Sequence, residues 1–273
     1  MRKRFYKSDF RLLKLTHICN EMQNIVNRKK LFNVPIDIIS YKAALQLLLE
    51  MAETNSKYIV FTPNVHHVYL VNTFEYFKEA YDACSLSLID GLPLIWALKY
   101  LHGIRTEKVS GSDIFVCLYK NAYDRGLRIF LLGGMPGVAE IAAENLKKKS
   151  AQSNKVACFS PKLGFEFDGN VNAKVIQKIN DFKPNILFVA LGAPKGELWI
   201  YNNIKMLNAN VIIEVGGSID FAAGVQRRAP KTFQKIGLEW FFRLCSNPKR
   251  LFHRYLTSNT FFLKLIIKDF FKK

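Results

Sequence analysis

The sequence predicts an α/β fold built around a mostly parallel sheet, and three observations lead there. From Leu31 onward, short runs rich in Val, Ile, Leu and Phe alternate with longer helical patterns, as strands and crossover helices do. The short runs are continuously apolar, which marks strands buried on both faces. Glycine and polar residues follow nearly every run, so the strand ends gather at one edge.

Six strands are expected, at residues 58–62, 86–89, 128–132, 155–159, 186–191 and 211–215. Helical patterns occupy 41–54, 113–125, 138–149, 171–181 and 197–207, each long enough to cross over between parallel strands. No internal repeat or low-complexity tract appears. The expected body is Rossmann-like, and in such sheets ligands bind beyond the carboxyl ends of the strands. Those positions hold Thr62, Pro63 and Asn64, then Asp90 and Gly91, then Gly133, Gly134 and Gly137. Further on come Gly192, Ala193, Pro194 and Lys195, and finally Gly216, Gly217 and Asp220.

The chain of 273 residues carries a net charge of +18. The excess sits at the ends: residues 1–30 hold nine basic and two acidic groups, and residues 227–273 hold twelve and two. The middle is electrically ordinary. A nucleic-acid-binding core would carry its basic groups on the folded body, whereas basic ends mixed with aromatics suit an anionic membrane surface. Three regions follow: a basic N-terminal arm at 1–30, a Rossmann-like domain at 31–236 and a basic amphipathic helical appendage at 237–273. No apolar run approaches the ~18 residues a membrane-spanning helix requires. The five cysteines are widely spaced, with no C-x-x-C pair, and read as free thiols of a reducing cytosol.

Several constellations at the strand ends bear on chemistry. The run from Arg128 through Gly133, Gly134 and Gly137 into a helix can present backbone N–H groups and a helix dipole to a phosphate. Glycines also serve tight turns for steric reasons alone, and both readings stand. The run departs from G-x-G-x-x-G, and the following strand leads from Phe159 to Ser160, not to an acid, which disfavours a nicotinamide dehydrogenase. Asp90 can face a cleft at a strand end or cap a turn. Pro63 ends its strand, and Asn64 is a candidate cap. His66 and His67 point to different helix faces, and no metal site is assigned to them. No D-x-D occurs, so a departing diphosphate would rely on Arg, Lys and backbone dipoles.

Beyond these lies an ordered set: Gly192, Ala193, Pro194, Lys195 and Glu197; Gly216, Gly217, Asp220, Phe221 and Gly224; Arg228, Ala229 and Pro230. It continues through Gly237, Leu238, Glu239, Trp240, Arg243, Leu244, Pro248, Arg250, Arg254 and Tyr255. With Thr62, Asn64, Asp90 and Gly91, these residues resemble the WecG/TagA/CpsF glycosyltransferase family over roughly 34–256. The resemblance implies an inverting, metal-independent transfer with no cofactor. The donor would be a UDP-sugar, carrying N-acetylmannosamine, its uronic acid or glucose. The acceptor would be a saccharide on polyprenyl pyrophosphate, in teichoic acid or cell-surface polysaccharide synthesis.

Carried over by position, Asp90 resembles the family's proposed catalytic base. Thr62, counted with it as catalytic, and Asn64 resemble polar residues of the sugar pocket. The substrate-binding set then includes Gly91, Gly133, Gly134, Lys195, Glu197, Gly216, Gly217 and Asp220. The family's appendage contributes arginines at a membrane, and Arg243, Arg250 and Arg254 match them. Where the family reads Pro-Lys-Gln-Glu, this chain has Gly196, which leaves the donor sugar open; His253 stands where relatives often carry Arg.

The expected setting is the inner, cytoplasmic face of the cell membrane, peripherally bound, with homo-oligomerisation left open. Two other readings compete: a non-catalytic nucleotide-sugar-binding relative, motivated by Gly196, and a basic nucleic-acid-binding protein, motivated by net charge alone.

Overall fold

The computed structural model describes residues 26–147 and 155–271. Most of the basic arm read at 1–30, the end of the helix expected at 138–149 and the last two residues of the appendage lie outside the described residues.

The described chain opens with an antiparallel hairpin, β1 (Asn27–Leu31) and β2 (Val34–Ile38). Phe32 and Asn33 form its turn with φ of 47° and 67°, the left-handed pair that matches strand twist in a two-residue loop. Arg28 donates from Nε and Nη2 to the two carboxylate oxygens of Asp37, each at 2.7 Å. Asp37 is buried and also accepts the Ser87 N–H at 2.7 Å, which fastens the hairpin to the neighbouring sheet. The last residues of the stretch read as a basic arm are therefore strand.

The main sheet has six parallel strands: β3 (Tyr58–Phe61), β4 (Leu86–Ser87), β5 (Ile129–Gly133), β6 (Val156–Phe159), β7 (Ile186–Ala190) and β8 (Val211–Glu214). Their order is β4-β3-β8-β7-β5-β6, so the first of these strands lies beside the last. Each falls within an expected run except β5, which reaches one residue further, to Gly133, where it still pairs with Ala190 of β7. β4 is shorter than expected as a regular strand, although Leu88 and Asp90 still donate their N–H groups to Phe61 and Pro63 beside it and Leu88 bridges Asp37.

Among the described residues the α-helices of the body are α1 (Tyr41–Glu53), α2 (Val65–Thr73), α3 (Glu75–Asp82), α4 (Leu92–His102), α5 (Gly111–Asp124), α6 (Val138–Lys147), α7 (Gly169–Phe182), α8 (Lys195–Asn203) and α9 (Ser218–Ala223). Helices α1, α5, α6 and α9 cover one face of the sheet. The other face carries α2, α3, α4, α7 and α8. Every residue from Ile186 to Val189 and from Val211 to Ile213 is fully buried between the layers. Burying such a side chain contributes about 1.5–3 kcal/mol. Phe188 meets Phe115 of α5 edge-on with ring centroids 4.8 Å apart, so Phe188→Ala would cost about 3–5 kcal/mol.

The C-terminal region is helical: α10 (Lys231–Lys235), α11 (Glu239–Ser246) and α12 (Pro248–Phe270). Pro248 occupies the first turn of α12, where its missing N–H is no loss. Leu251, Ser258 and Phe262 are buried on one face, and Phe262 packs edge-on against Phe32 of the hairpin turn. Phe252, Leu256, Leu263, Ile267 and Phe270 are exposed. The appendage is thus both a packed layer and a carrier of unpartnered apolar surface. Among the described residues no helix is long and apolar enough to cross a membrane.

Candidate active site

A cavity of about 880 Å³ opens along the carboxyl edge of the sheet and is closed on one side by the appendage. Thr62, Asn64, Asp90, Gly91, Gly134, Lys195, Gly216, Gly217 and Asp220 line it from the body; Arg243, Arg250 and Arg254 line it from α11 and α12. Residues far apart in sequence converge because each follows a parallel strand or faces that edge. Two expected residues do not reach the lining. Gly133 is spent on backbone geometry, since a Cβ there would lie 2.4 Å from the Ala190 carbonyl oxygen and φ is 113°. Glu197 lies behind the wall.

Asn64 caps α2, accepting the His66 N–H at 3.0 Å, and borders the cavity at the same time. Its own N–H donates to His67 Nδ1 at 3.0 Å. Burial, with Arg254 nearby, pushes His67 down to about 3, so the ring is neutral. With Nδ1 accepting, the ring proton must sit on Nε2, which donates to Glu197 Oε1 at 2.8 Å. Both partners are buried, and burial pushes Glu197 up to about 7. His66 points elsewhere: its Nδ1 meets Ser258 Oγ at 2.8 Å and ties α2 to α12.

Asp90 is not a helix cap. The cap of α4 is Gly91, with φ of 108° and no side-chain hydrogen bond. The Asp90 carboxyl instead faces the cavity, where desolvation pushes its pKa up to about 7 against the pull of Lys108 and Arg243; Glu239 adds to the rise. Lys108 and Glu239 lie 3.4 Å apart and line the same cavity. Glu239 belongs to the ordered set that carries the family resemblance but was given no site role, and Lys108 was not picked out, because it lies in an irregular stretch where periodicity carries no signal.

On the opposite side, the glycine turn after β5 brings Gly134 to the lining, with φ of 75°. One N–H at the start of α6, that of Ala139, already donates to Ser160 Oγ at 2.9 Å, and Glu140 stands in the first turn. Positive charge comes instead from side chains. The gap over Gly217 is narrow: a Cβ there would lie 3.3 Å from Arg243 Nη2. Asp220 faces Arg243 and Arg250, and burial holds its pKa above the usual carboxylate range. Lys195 Nζ lies 3.3 Å from Glu166 Oε1 at the rim. His253, by contrast, is exposed and outside the lining. Among the described residues no three His, Cys, Asp or Glu side chains gather as a metal site.

A desolvated carboxyl and three arginines lining one cavity suit a reaction that removes a proton from a neutral group while a negative group departs. The family model described as Glycosyl transferase WecG/TagA/CpsF family matches residues 29–273. Similar proteins include the N-acetylglucosaminyldiphosphoundecaprenol N-acetyl-beta-D-mannosaminyltransferases of Staphylococcus aureus strains MW2 and NCTC 8325 / PS 47. Each is 27% identical over 230 residues, covering 79% of this chain and 86% of the relative.

Proposed function

Because the chain belongs to the WecG/TagA/CpsF family of glycosyltransferases, we propose that it transfers N-acetylmannosamine, or a close hexose relative, from a UDP-sugar to an N-acetylglucosaminyl diphosphate carried on a polyprenol. The donor is our inference from the resemblance; the acceptor and the sugar follow the names of the staphylococcal relatives. The observation that carries the reading is the carboxyl of Asp90, raised to about 7, in a cavity also lined by three arginines.

In the proposed reaction the acceptor hydroxyl attacks the anomeric carbon from the face opposite the diphosphate, so configuration inverts. Asp90 takes the hydroxyl proton as the new C–O bond forms, because an alcohol is a feeble nucleophile until a base relieves it of that proton. The anomeric bond to the diphosphate breaks, and its electron pair leaves with UDP. Arg243, Arg250 and Arg254 balance the departing charge without need of a metal ion, and Thr62 and Asn64 border the sugar. A base with a pKa near the working pH combines a sufficient ionised fraction with a strong pull on the proton.

The acceptor is lipid-linked in this reading, and the exposed apolar stripe of α12 with its flanking lysines supports a peripheral seat on an anionic membrane. The cytoplasmic inner face is the side on which UDP-sugars would be available.

The test is UDP release from UDP-N-acetylmannosamine with a short-chain prenyl diphosphate N-acetylglucosamine acceptor in lipid vesicles. The wild type should turn over in the presence of EDTA, and Asp90→Asn should keep UDP binding but lose transfer. Near-normal turnover by that variant would remove Asp90 from the role. A wild type that binds UDP-sugars yet transfers none of them would favour the non-catalytic relative.

A further inference from the structure

Gly196 stands where the resembling family carries a glutamine, and the neighbouring atoms say why no side chain fits. A Cβ at 196 would lie 2.5 Å from Glu214 Cγ and 2.7 Å from its Oε1. Glu214 cannot easily swing aside. It is 5% exposed, its Oε1 accepts the Gly192 N–H at 3.0 Å, and its Oε2 accepts the Gly216 N–H at 2.9 Å. Those two glycines follow β7 and β8, so Glu214 sits between the two central strand ends, and it lines the cavity.

We infer that Glu214 is a ligand-reading residue of the cavity floor, taking a neutral O–H or N–H donor group of the nucleotide-sugar, and that Gly196 is glycine because Glu214 fills its space. This rests on the glycosyltransferase reading of the cavity. Each carboxyl oxygen uses one lone pair on a backbone N–H and keeps another for a ligand. Both oxygens are held as acceptors by their backbone N–H donors, so a hydroxyl or amide suits this position, while the arginines Arg243 and Arg250 offer the diphosphate its donors. Burial and the neighbouring Glu197 raise Glu214 well above the usual carboxylate range, while Arg254 and the two N–H donors pull it down. Whichever form holds, the carboxyl offers hydrogen bonds to a neutral group.

The experiment measures the affinity of UDP and of UDP-N-acetylmannosamine for the wild type, Glu214→Gln and Glu214→Ala, with Tm recorded for each. A contact to the sugar predicts that Glu214→Ala loses about 10-fold or more in UDP-sugar affinity while UDP binds as before. A contact to the base or ribose predicts the same loss for both ligands. Folded variants that bind both ligands within about twofold of the wild type would overturn the assignment. Should Glu214→Ala unfold, Glu214→Gln, which keeps the shape, is read in its place.

A ligand-free arm tests the packing. Gly196→Ala should lower Tm in the wild-type background and leave it nearly unchanged alongside Glu214→Ala. Equal losses in both backgrounds would show that Glu214 is not what excludes a side chain at 196. A wild type that binds neither UDP nor the UDP-sugar would bring down the donor assignment and the ligand half of this inference, while the packing arm still returns its own answer.

Discussion

Lys108 and Glu239 form an ion pair of 3.4 Å inside the cavity that holds Asp90, one from the body and one from the first long helix of the appendage. Its two charges act on the Asp90 carboxyl in opposite senses, Lys108 lowering the pKa and Glu239 raising it. Removing either partner should therefore be visible in the pH dependence of transfer.

As a base, Asp90 works when ionised, so kcat/KM is expected to rise with pH through about 7. Glu239→Gln removes a nearby negative charge and releases Lys108, and should move this acid limb down by about 0.5–1 pH unit. Lys108→Met should move it up. A pH–rate profile unmoved by both changes would sink the role given to the pair.

Stability carries the same information with the opposite sign. The folded-state pKa of Asp90 lies above its unfolded value of 3.8, so folding favours the protonated form and stability is lost as pH rises from about 4 to 7. The full shift corresponds to about 4 kcal/mol, and about half of that is reasonable for a carboxyl open to a wet cavity. Asp90→Asn should accordingly raise Tm by several degrees at pH 8 and by nearly nothing at pH 4. An equal effect at both pH values would contradict a raised pKa.

His67 satisfies two buried groups at once, the Asn64 N–H and the Glu197 carboxyl. His67→Ala strands both and should cost about 3–5 kcal/mol in urea denaturation. Glu197→Gln keeps an acceptor for the Nε2 proton and should cost under about 1 kcal/mol. A large loss in the second variant would mean that the charge of Glu197, not its hydrogen bond, matters.

Arg28 covers a buried carboxylate that also anchors β4. Arg28→Ala leaves Asp37 to the Ser87 N–H alone and should destabilise by about 2–4 kcal/mol, with protease cleavage near the hairpin as a second readout. Cleavage no faster than in the wild type would show that other contacts hold the hairpin down.

For the appendage, truncation after Lys235 is a blunt test, because it also removes Leu251 and Phe262 from the core. Phe252→Glu with Leu256→Glu alters only exposed positions, 59% and 56% accessible, and should abolish binding to anionic vesicles at unchanged Tm. Vesicle binding that survives in the double variant would speak against the stripe as the lipid contact.

The sheet was legible because its strands are continuously apolar and each is followed by glycine or a polar residue. The convergence of Thr62, Asp90 and Gly216 then followed from the rule that parallel strands end together, whereas the three arginines, which lie on the appendage helices, were expected only through the family resemblance. Helices α3 and α4 were not expected, α4 because it is apolar on several sides, which blurs the 3.6-residue period; α2 was anticipated only at its start, through the Asn64 cap and the helical placement of His66 and His67. The hairpin was missed because β1 is mostly charged, and its reason for being a strand is Asp37, a partner that only tertiary structure supplies. Glu214 was overlooked as the last residue of a strand whose other members are all core. Gly196 reads as a loss until the carboxylate beside it is seen.

Helix α12 carries Arg250 and Arg254 near its start and apolar side chains out to Phe270, some twenty residues later, a span of about 30 Å. A rod of that kind fixes geometry. Lying along a bilayer, it would hold its guanidinium groups at a set height over the headgroups, so a prenol tail could stay dissolved in the leaflet while only its phosphorylated end is lifted into reach. Substrate choice would then begin with how far a molecule protrudes, before any atom of its sugar is touched.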